Sequence, residues 1–148
     1  MNNIISINHI SFTVNNLTKS VNFYTQVLNL KLLNISERSP QYSAEVTGIP
    51  GAHLKIAYLD LGGAKLELIE YLSGSGKKID TSTNNIGSAH LCLNVSNIDN
   101  FYENFINSGG KTVNPPKLIP AGSNKNKKGF YGEDLDSNRL EFISEEKY

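Results

Sequence analysis

The sequence predicts an α+β fold in which one β-α-β-β-β module occurs twice. The repeat is visible at two places along the chain. HISFTVNNL, which begins at His9, matches HLCLNVSNI, which begins at His90, in its histidine, its alternating apolar residues and its ending. LGGAKLELIE likewise matches LDSNRLEFIS, and this match superposes Glu67 on Glu141. Since the paired segments lie near both ends of each half, the whole chain is predicted to be a tandem repeat.

Each module is predicted to open with a strand and a helix. The alternation of apolar and polar residues after His9 and after His90 is typical of half-buried strands. Apolar residues at helical spacing follow in both modules, and they predict helices over about 17–28 and 98–106.

Shorter strands complete the modules. They are predicted at about 30–36, 42–47, 54–60 and 65–71 in the first module, and at about 111–113, 117–119, 128–133 and 139–144 in the second. We therefore expect one domain over 1–148, with modules at about 4–72 and 86–145 and a linker at about 73–85.

Composition restricts the class of function. Lys and Arg number 14, as do Asp and Glu, so no strong electric field favours nucleic acid as a partner. The one cysteine excludes an internal disulfide and fits a reducing compartment. No apolar run approaches the length of a membrane span, and the N-terminal segment has no signal-peptide pattern. We expect a cytoplasmic protein with a small-molecule substrate and with neither nucleic acid nor membrane as partner.

Strand periodicity places four polar side chains on equivalent faces. Apolar residues alternate with them in the first and last strands of both modules, and these apolar residues are expected to pack on the helices. His9, Glu67, His90 and Glu141 therefore point away from the helices, and they converge if the two sheets curl toward each other. Two imidazoles and two carboxylates suit one divalent ion such as Zn, Ni, Mn, Co or Fe. A lone His or Glu on a strand is more often a surface residue, so the prediction depends on all four recurring together.

These residues resemble the vicinal oxygen chelate superfamily, which includes glyoxalases, bleomycin-resistance proteins and extradiol dioxygenases. The segments that carry the resemblance are NHISFTVNNLTKSVNFYTQVLNLKLL, AKLELIEY, GSAHLCLNV and FYGEDLDSNRLEFIS. The last is similar to the family's F-x-x-D-P-D-G-x-x-x-E ending, with Leu135 and Ser137 in place of Pro and Gly. The resemblance implies two βαβββ modules that form an eight-stranded, partly open barrel with the metal inside, in chains that associate as homodimers.

The resemblance also implies ligands and a reaction. His9 and Glu67 match the metal ligands of the first module, and His90 and Glu141 match those of the second. A set of two His and two Glu is similar to that of glyoxalase I, which isomerises the hemithioacetal of methylglyoxal and a thiol. The implied function is a metal-dependent glyoxalase-like isomerase or lyase that chelates neighbouring substrate oxygens, with Glu141 or Glu67 as the base.

Four further residues are candidates for substrate contacts. Thr13 and Tyr71 stand where glutathione-using glyoxalases have Arg and Asn, so we expect a different thiol or none. Tyr131 stands where extradiol dioxygenases carry a tyrosine, and strand parity places it on the metal side. His53 is expected to face the same side, as a general acid or as a rim residue. Cys92 is interpreted as a small residue that lines the inside of the partly open barrel.

Other functions of the superfamily stay open. An Fe(II) extradiol dioxygenase uses two His and one Glu, which leaves Glu67 without a role. An acyl-CoA epimerase usually has Gln or a comparable residue as its fourth ligand. Fosfomycin-type thiol transferases depend on two His and one Glu, and nothing in the sequence favours them. A metal-free protein that sequesters an antibiotic is the alternative outside catalysis, and such proteins normally lack the quartet that this chain keeps.

Overall fold

The computed structural model describes residues 3–148, and the chain divides into two compact units between Lys78 and Ile79. The elements of the first unit are β1 (His9–Thr13), α1 (Leu17–Gln26), β2 (Leu32–Glu37), α2 (Pro40–Thr47), β3 (His53–Asp60) and β4 (Lys65–Ser73). Those of the second unit are β5 (His90–Val95), α3 (Ile98–Asn107), β6 (Lys111–Thr112), β7 (Lys117–Leu118), β8 (Lys128–Glu133) and β9 (Arg139–Ser144).

The two sheets have the same strand pairing. The first sheet has the order β1-β4-β3-β2, and the second has the order β5-β9-β8-β6 with β7 also paired to β8. In both, the first strand of the unit runs parallel to the last, and the remaining pairs are antiparallel. This correspondence confirms the predicted α+β fold of two βαβββ modules.

Helix α1 begins where its sequence provides a cap. The side chain of Asn16 accepts a hydrogen bond from the backbone N–H of Lys19 at 2.9 Å, which satisfies one of the free donors of the first turn. A second donor, the N–H of Leu17, bonds to the carboxylate of Glu70 at 2.8 Å. Apolar residues at helical spacing, among them Leu17 and Tyr24, are buried, so α1 covers the sheet on the predicted face.

Helix α3 packs an aromatic cluster onto the second sheet. The rings of four residues lie with centroids 4.9 to 6.3 Å apart, in stacked, tilted and edge-on arrangements: Phe101, Phe105, Phe130 and Phe142. Phe142 is fully buried against the helix. Because side chains alternate along a strand, every second residue of β9 counted from Phe142 faces the helix. The residues between, including Glu141, therefore point to the opposite side of the sheet.

The strand predicted at 42–47 is wrong, because this segment lies in helix α2. Ser39 caps the helix by accepting from the N–H of Tyr42 at 3.3 Å, Pro40 occupies the first turn, and Gly48 ends it with φ of 69°. Tyr42 and Val46 lie four residues apart and share one exposed face of the helix. The short polar cap, rather than the apolar spacing, determines the structure here.

The end of the predicted linker is fixed to the second unit. The carbonyl of Thr81 accepts from Arg139 Nε at 3.0 Å and from the Ser88 hydroxyl at 3.1 Å. Its own hydroxyl donates to the carbonyl of Ser137 at 2.6 Å. The proposed limits of the modules and the single-domain interpretation stay predictions.

Within residues 3–148, no helix combines the length and the apolar character that a membrane crossing requires.

We predict that Gly110→Ala destabilises the protein by about 1–3 kcal/mol, because overpacking a buried ring forces side chains from their preferred rotamers. A Cβ at Gly110 would lie 2.6 Å from Cζ of Phe105, whose ring is fully buried. Urea denaturation measures the change in the free energy of unfolding. Gly76→Ala is the matched control, since a Cβ there meets nothing within 4 Å. Equal effects of the two substitutions would contradict the packing argument.

Candidate metal and substrate site

Strand pairing brings His9 beside Glu67 in the first unit. Ser11 lies opposite Glu67 in the parallel β1–β4 pair, and His9 is two residues from Ser11 on the same face. The Nε2 atom of His9 lies 3.3 Å from Oε2 of Glu67, whose side chain is only 8% exposed. The other ring nitrogen of His9 lies 2.9 Å from Oδ1 of Asn8, a contact that orients the imidazole.

The second unit repeats this arrangement with His90 and Glu141. Cys92 lies opposite Glu141 in the parallel β5–β9 pair, and His90 shares its face. His90 Nε2 lies 3.1 Å from Oε2 of Glu141, and the Glu141 side chain is 22% exposed. The carboxylate of Glu141 is therefore more accessible than that of Glu67.

A tyrosine completes each pair. Tyr58 lies opposite Glu67 on β3, and its hydroxyl donates a hydrogen bond of 2.5 Å to Oε1 of that carboxylate. Its ring meets the ring of His9 edge-on, with centroids 5.9 Å apart. Tyr131 lies opposite Glu141 on β8 and meets His90 edge-on at 5.4 Å. Each unit thus contains a His–Glu–Tyr trio.

The sequence identified Tyr131 but not Tyr58. Tyr58 precedes Glu67 by nine residues, whereas Tyr131 precedes Glu141 by ten (141 − 131). The turn between β8 and β9 is one residue longer than the turn between β3 and β4, so an ungapped alignment of the repeats leaves the two tyrosines out of register. Allowing one gap at this turn would have revealed the match.

Both tyrosines stay protonated at neutral pH. Burial is the largest cause that raises the pKa of Tyr58. The hydrogen bond to Glu67 and the negative charge of Glu67 raise this pKa further, whereas Arg38 lowers it. Burial is also the first cause that raises the pKa of Tyr131, followed by the charge of Glu141 and a hydrogen bond to it. A neutral phenol is a hydrogen-bond donor, so each tyrosine orients the carboxylate that it faces.

Cys92 shares the face of the second trio. Desolvation raises the pKa of Cys92 to about 12, and the charge of Glu141 and a hydrogen bond to it act in the same direction. The group is therefore a neutral thiol at neutral pH. This state agrees with the interpretation of Cys92 as a wall residue rather than a nucleophile.

The other predicted substrate residues lie in the first unit. His53 begins β3, five residues or about 17 Å along the strand from Tyr58. Its Nε2 atom lies 2.8 Å from Glu37 Oε1. Thr13 ends β1 opposite Ile69, and Tyr71 lies in β4 opposite Leu54. The structure thus brings Tyr131 to a His–Glu pair and places His53 at the end of its strand.

A buried aspartate holds the turn that connects Tyr131 to Glu141. Asp134 is buried, and its side chain accepts hydrogen bonds from the backbone N–H groups of Asp136 and Asn138 at 2.9 and 2.8 Å. The amide of Asn138 adds a third at 2.8 Å. Ser137 adopts a left-handed φ of 71° in this turn, which explains why glycine suits the same position in the family pattern.

Each His–Glu pair has the chemistry of half a metal centre. Two ligands about 2.1 Å from one tetrahedral ion lie about 3.4 Å from each other, a spacing close to both observed nitrogen–oxygen distances. Imidazole and carboxylate are ligands that Zn, Ni, Mn, Co and Fe share. No group of three or more His, Cys, Asp or Glu side chains with metal-binding geometry occurs in the described part of the chain, residues 3–148. Each pair by itself therefore offers two metal-ligand groups, and the quartet stays a prediction.

The sequence model of the Glyoxalase/Bleomycin resistance protein/Dioxygenase superfamily matches residues 6–142 of the chain. The chain belongs to this superfamily. Solved structures agree in fold: a glyoxalase family protein from Bacillus cereus has a TM-score of 0.81 at 16% identity, covering 97% of this chain and 95% of that one. A glyoxalase I mutant from Zea mays has a TM-score of 0.68 at 20% identity, covering 93% of this chain and 44% of that one. The predicted superfamily and its fold are confirmed.

Relatives with assigned names point to a branch that the sequence patterns did not favour. The chain is 30% identical over 140 residues to metallothiol transferase FosB of Staphylococcus haemolyticus, covering 93% of this chain and 82% of that protein. It is also 30% identical over 141 residues to the FosB of Staphylococcus epidermidis, with the same coverage. The expectation that nothing favours thiol transferases is therefore corrected by overall similarity.

We predict that Tyr58→Phe lowers the free energy of unfolding by about 1–3 kcal/mol, because the buried Glu67 carboxylate loses its hydrogen-bond donor. Chemical denaturation of the metal-free protein measures this loss. Tyr42→Phe serves as the control, since that ring is exposed on α2. If the two variants unfold at the same denaturant concentration, the hydrogen bond to Glu67 contributes nothing to stability.

Proposed function

We propose that this chain is a metal-dependent, glyoxalase-like isomerase or lyase that holds a small molecule through two neighbouring oxygen atoms. The observation that carries the proposal is the His–Glu pair in each unit, at 3.3 Å for His9 with Glu67 and 3.1 Å for His90 with Glu141. Repetition of the same pair, on the same strands and faces, argues for a shared role.

In this proposal the two pairs hold one divalent ion, which is Zn, Ni, Mn, Co or Fe. The pairs come from one chain or from the two chains of a homodimer. When bound, the ion supplies Lewis-acid polarisation of the chelated substrate oxygens. The remaining chemistry belongs to the side chains around it.

We assign the proton transfer to Glu141 and a positioning role to Glu67. Oε1 of Glu67 is held by the Tyr58 hydroxyl and its side chain is nearly inaccessible, which fixes the carboxylate in place. Glu141 is more exposed and lines a cavity, so a substrate carbon can approach it. Glu141 takes a proton from a carbon next to a carbonyl and returns it to the adjacent carbon.

The other predicted contacts have separate roles in the proposal. Tyr131 lines the same cavity as Glu141 and donates a hydrogen bond to the carboxylate or to the substrate. Thr13 and Tyr71 are proposed wall residues of the first unit, at positions that differ from glutathione-using glyoxalases. His53 is proposed to lie at the rim, because Glu37 already engages its ring.

The similarity to FosB favours a second candidate, transfer of a thiol to a substrate held in the same way. A site of two His and one Glu serves that reaction, so Glu67 would not be needed as a ligand. Proton transfer with a two-His, two-Glu site needs all four residues. Glu67 is therefore the residue that separates the two candidates.

We predict that protein purified without chelator contains about one transition-metal ion per site, as measured by elemental analysis. His9→Ala and Glu141→Ala should each weaken metal binding by more than about tenfold, since even partners outside the coordination shell cost this much. His53→Ala is the matched control and should retain the metal, because its imidazole pairs with Glu37. An absence of binding after incubation with Ni, Zn, Mn and Fe(II) would overturn the enzyme proposal and favour a metal-free binding protein.

We predict that the metal-loaded protein catalyses exchange of the carbon-bound proton of a thiol–aldehyde adduct in D₂O, measured by NMR. Glu141→Gln should slow this exchange by about 10²–10⁴-fold, the usual contribution of a positioned base. Thiol consumption with an electrophilic acceptor is measured in parallel. Thiol transfer without proton exchange, persisting in Glu67→Gln, would replace the first candidate with the second.

A further inference from the structure

The second unit contains a cavity of about 530 Å³ beside the His90–Glu141 pair. Its volume lies in the range of pockets that bind drug-sized molecules. Tyr131 and Glu141 line it, so a molecule in this cavity reaches the residues that the proposed function assigns to proton transfer. All its lining residues belong to Ile79–Tyr148, so the second unit forms it alone.

One wall of the cavity is apolar. It consists of the apolar lining residues of the segment 113–120, with Phe130 of β8 beside them. We call these residues the apolar wall: Val113, Pro115, Leu118, Ile119 and Pro120. Val113 and Leu118 line the cavity from this wall, yet they are 65% and 55% exposed. Their burial by a ligand would remove apolar surface from water, which is favourable in proportion to the area covered.

The charged groups of the cavity do not suit a strongly polar ligand. The guanidinium of Arg139 is already engaged, since Nη1 forms an ion pair with Glu133 and Nε donates to the carbonyl of Thr81. Lys117 remains as a lining cation that can meet one anionic group of a ligand. A peptide thiol such as glutathione carries several charges, and most of these would meet the apolar wall.

We propose that the substrate has an apolar alkyl or aryl body, which lies on the apolar wall while its two neighbouring oxygens lie at Glu141. The chemical class is that of 2-hydroxy and 2-oxo compounds with a long apolar side chain, rather than short or peptide-bearing adducts. The chelated end depends on the proposed function. The fit of the apolar body depends on the cavity alone.

The test is the affinity of a series with constant oxygen chemistry: lactate, 2-hydroxyhexanoate and 2-hydroxyoctanoate. Dissociation constants are measured by NMR titration, with and without bound metal. Burial of a methylene corresponds to roughly a two- to fourfold gain in affinity. We expect 2-hydroxyoctanoate to bind at least about thirtyfold more tightly than lactate.

Variants locate the gain at the apolar wall. Val113→Asn and Leu118→Asn should remove most of the difference between lactate and 2-hydroxyoctanoate, and both positions are exposed enough to keep the fold intact. Ile79→Asn is the matched control: Ile79 is 73% exposed in the same unit and is not a lining residue. It should leave the series unchanged.

The outcomes separate this inference from the proposed function. A gain along the series in the metal-free protein, lost in the wall variants, supports the apolar site even if the metal and proton-exchange tests fail. Equal affinities along the series overturn it, even if the protein binds metal and exchanges the proton. An equal loss in Ile79→Asn and in the wall variants also overturns it, because the gain would then not arise at the cavity.

Discussion

The parallel pairing between the first and last strands of each unit is the constraint on which the rest of the site depends. It sets Ser11 against Glu67, 56 residues later (67 − 11), and Cys92 against Glu141, 49 residues later (141 − 92). Because side chains alternate across a strand, a slip of one residue would turn each glutamate into the helix-facing core. Fully buried Leu66 and Leu68 on one unit, and Leu140 and Phe142 on the other, oppose such a slip through the apolar area they bury.

The first unit carries a nearly buried carboxylate, and its neighbours account for how it is tolerated. Removing a charge from water is costly unless hydrogen bonds and an opposite charge replace the solvent. Tyr58 provides one hydrogen bond to Glu67, and His9 lies within ion-pair distance of its second oxygen. These two contacts replace part of the solvation that the carboxylate loses.

Much of the fold was predictable because repeats and two-residue periodicity are local properties of the sequence. The paired strands, both long helices and the facing of His9, His90, Glu67 and Glu141 away from the cores follow from them. Helix α2 was missed because its start signals, Ser39 as the cap and Pro40 in the first turn, were not used in the prediction. Tyr58 was missed because one extra turn residue hid its match. The cavity was beyond prediction, since the segment 113–120 contains only the two-residue strand β7 and has no regular period of apolar residues.

The two glutamates differ in accessibility although their strands are equivalent. The two carboxylates occupy equivalent positions of the repeated module, each opposite the third residue of the first strand of its unit. Tyr58 donates a hydrogen bond to the carboxylate of Glu67, whereas the carboxylate of Glu141 lines a cavity. The internal symmetry of the repeat therefore does not extend to the surroundings of these two carboxylates. One duplicated position provides two carboxylates of different accessibility, so the two halves need not bind the same ligand groups in the same way.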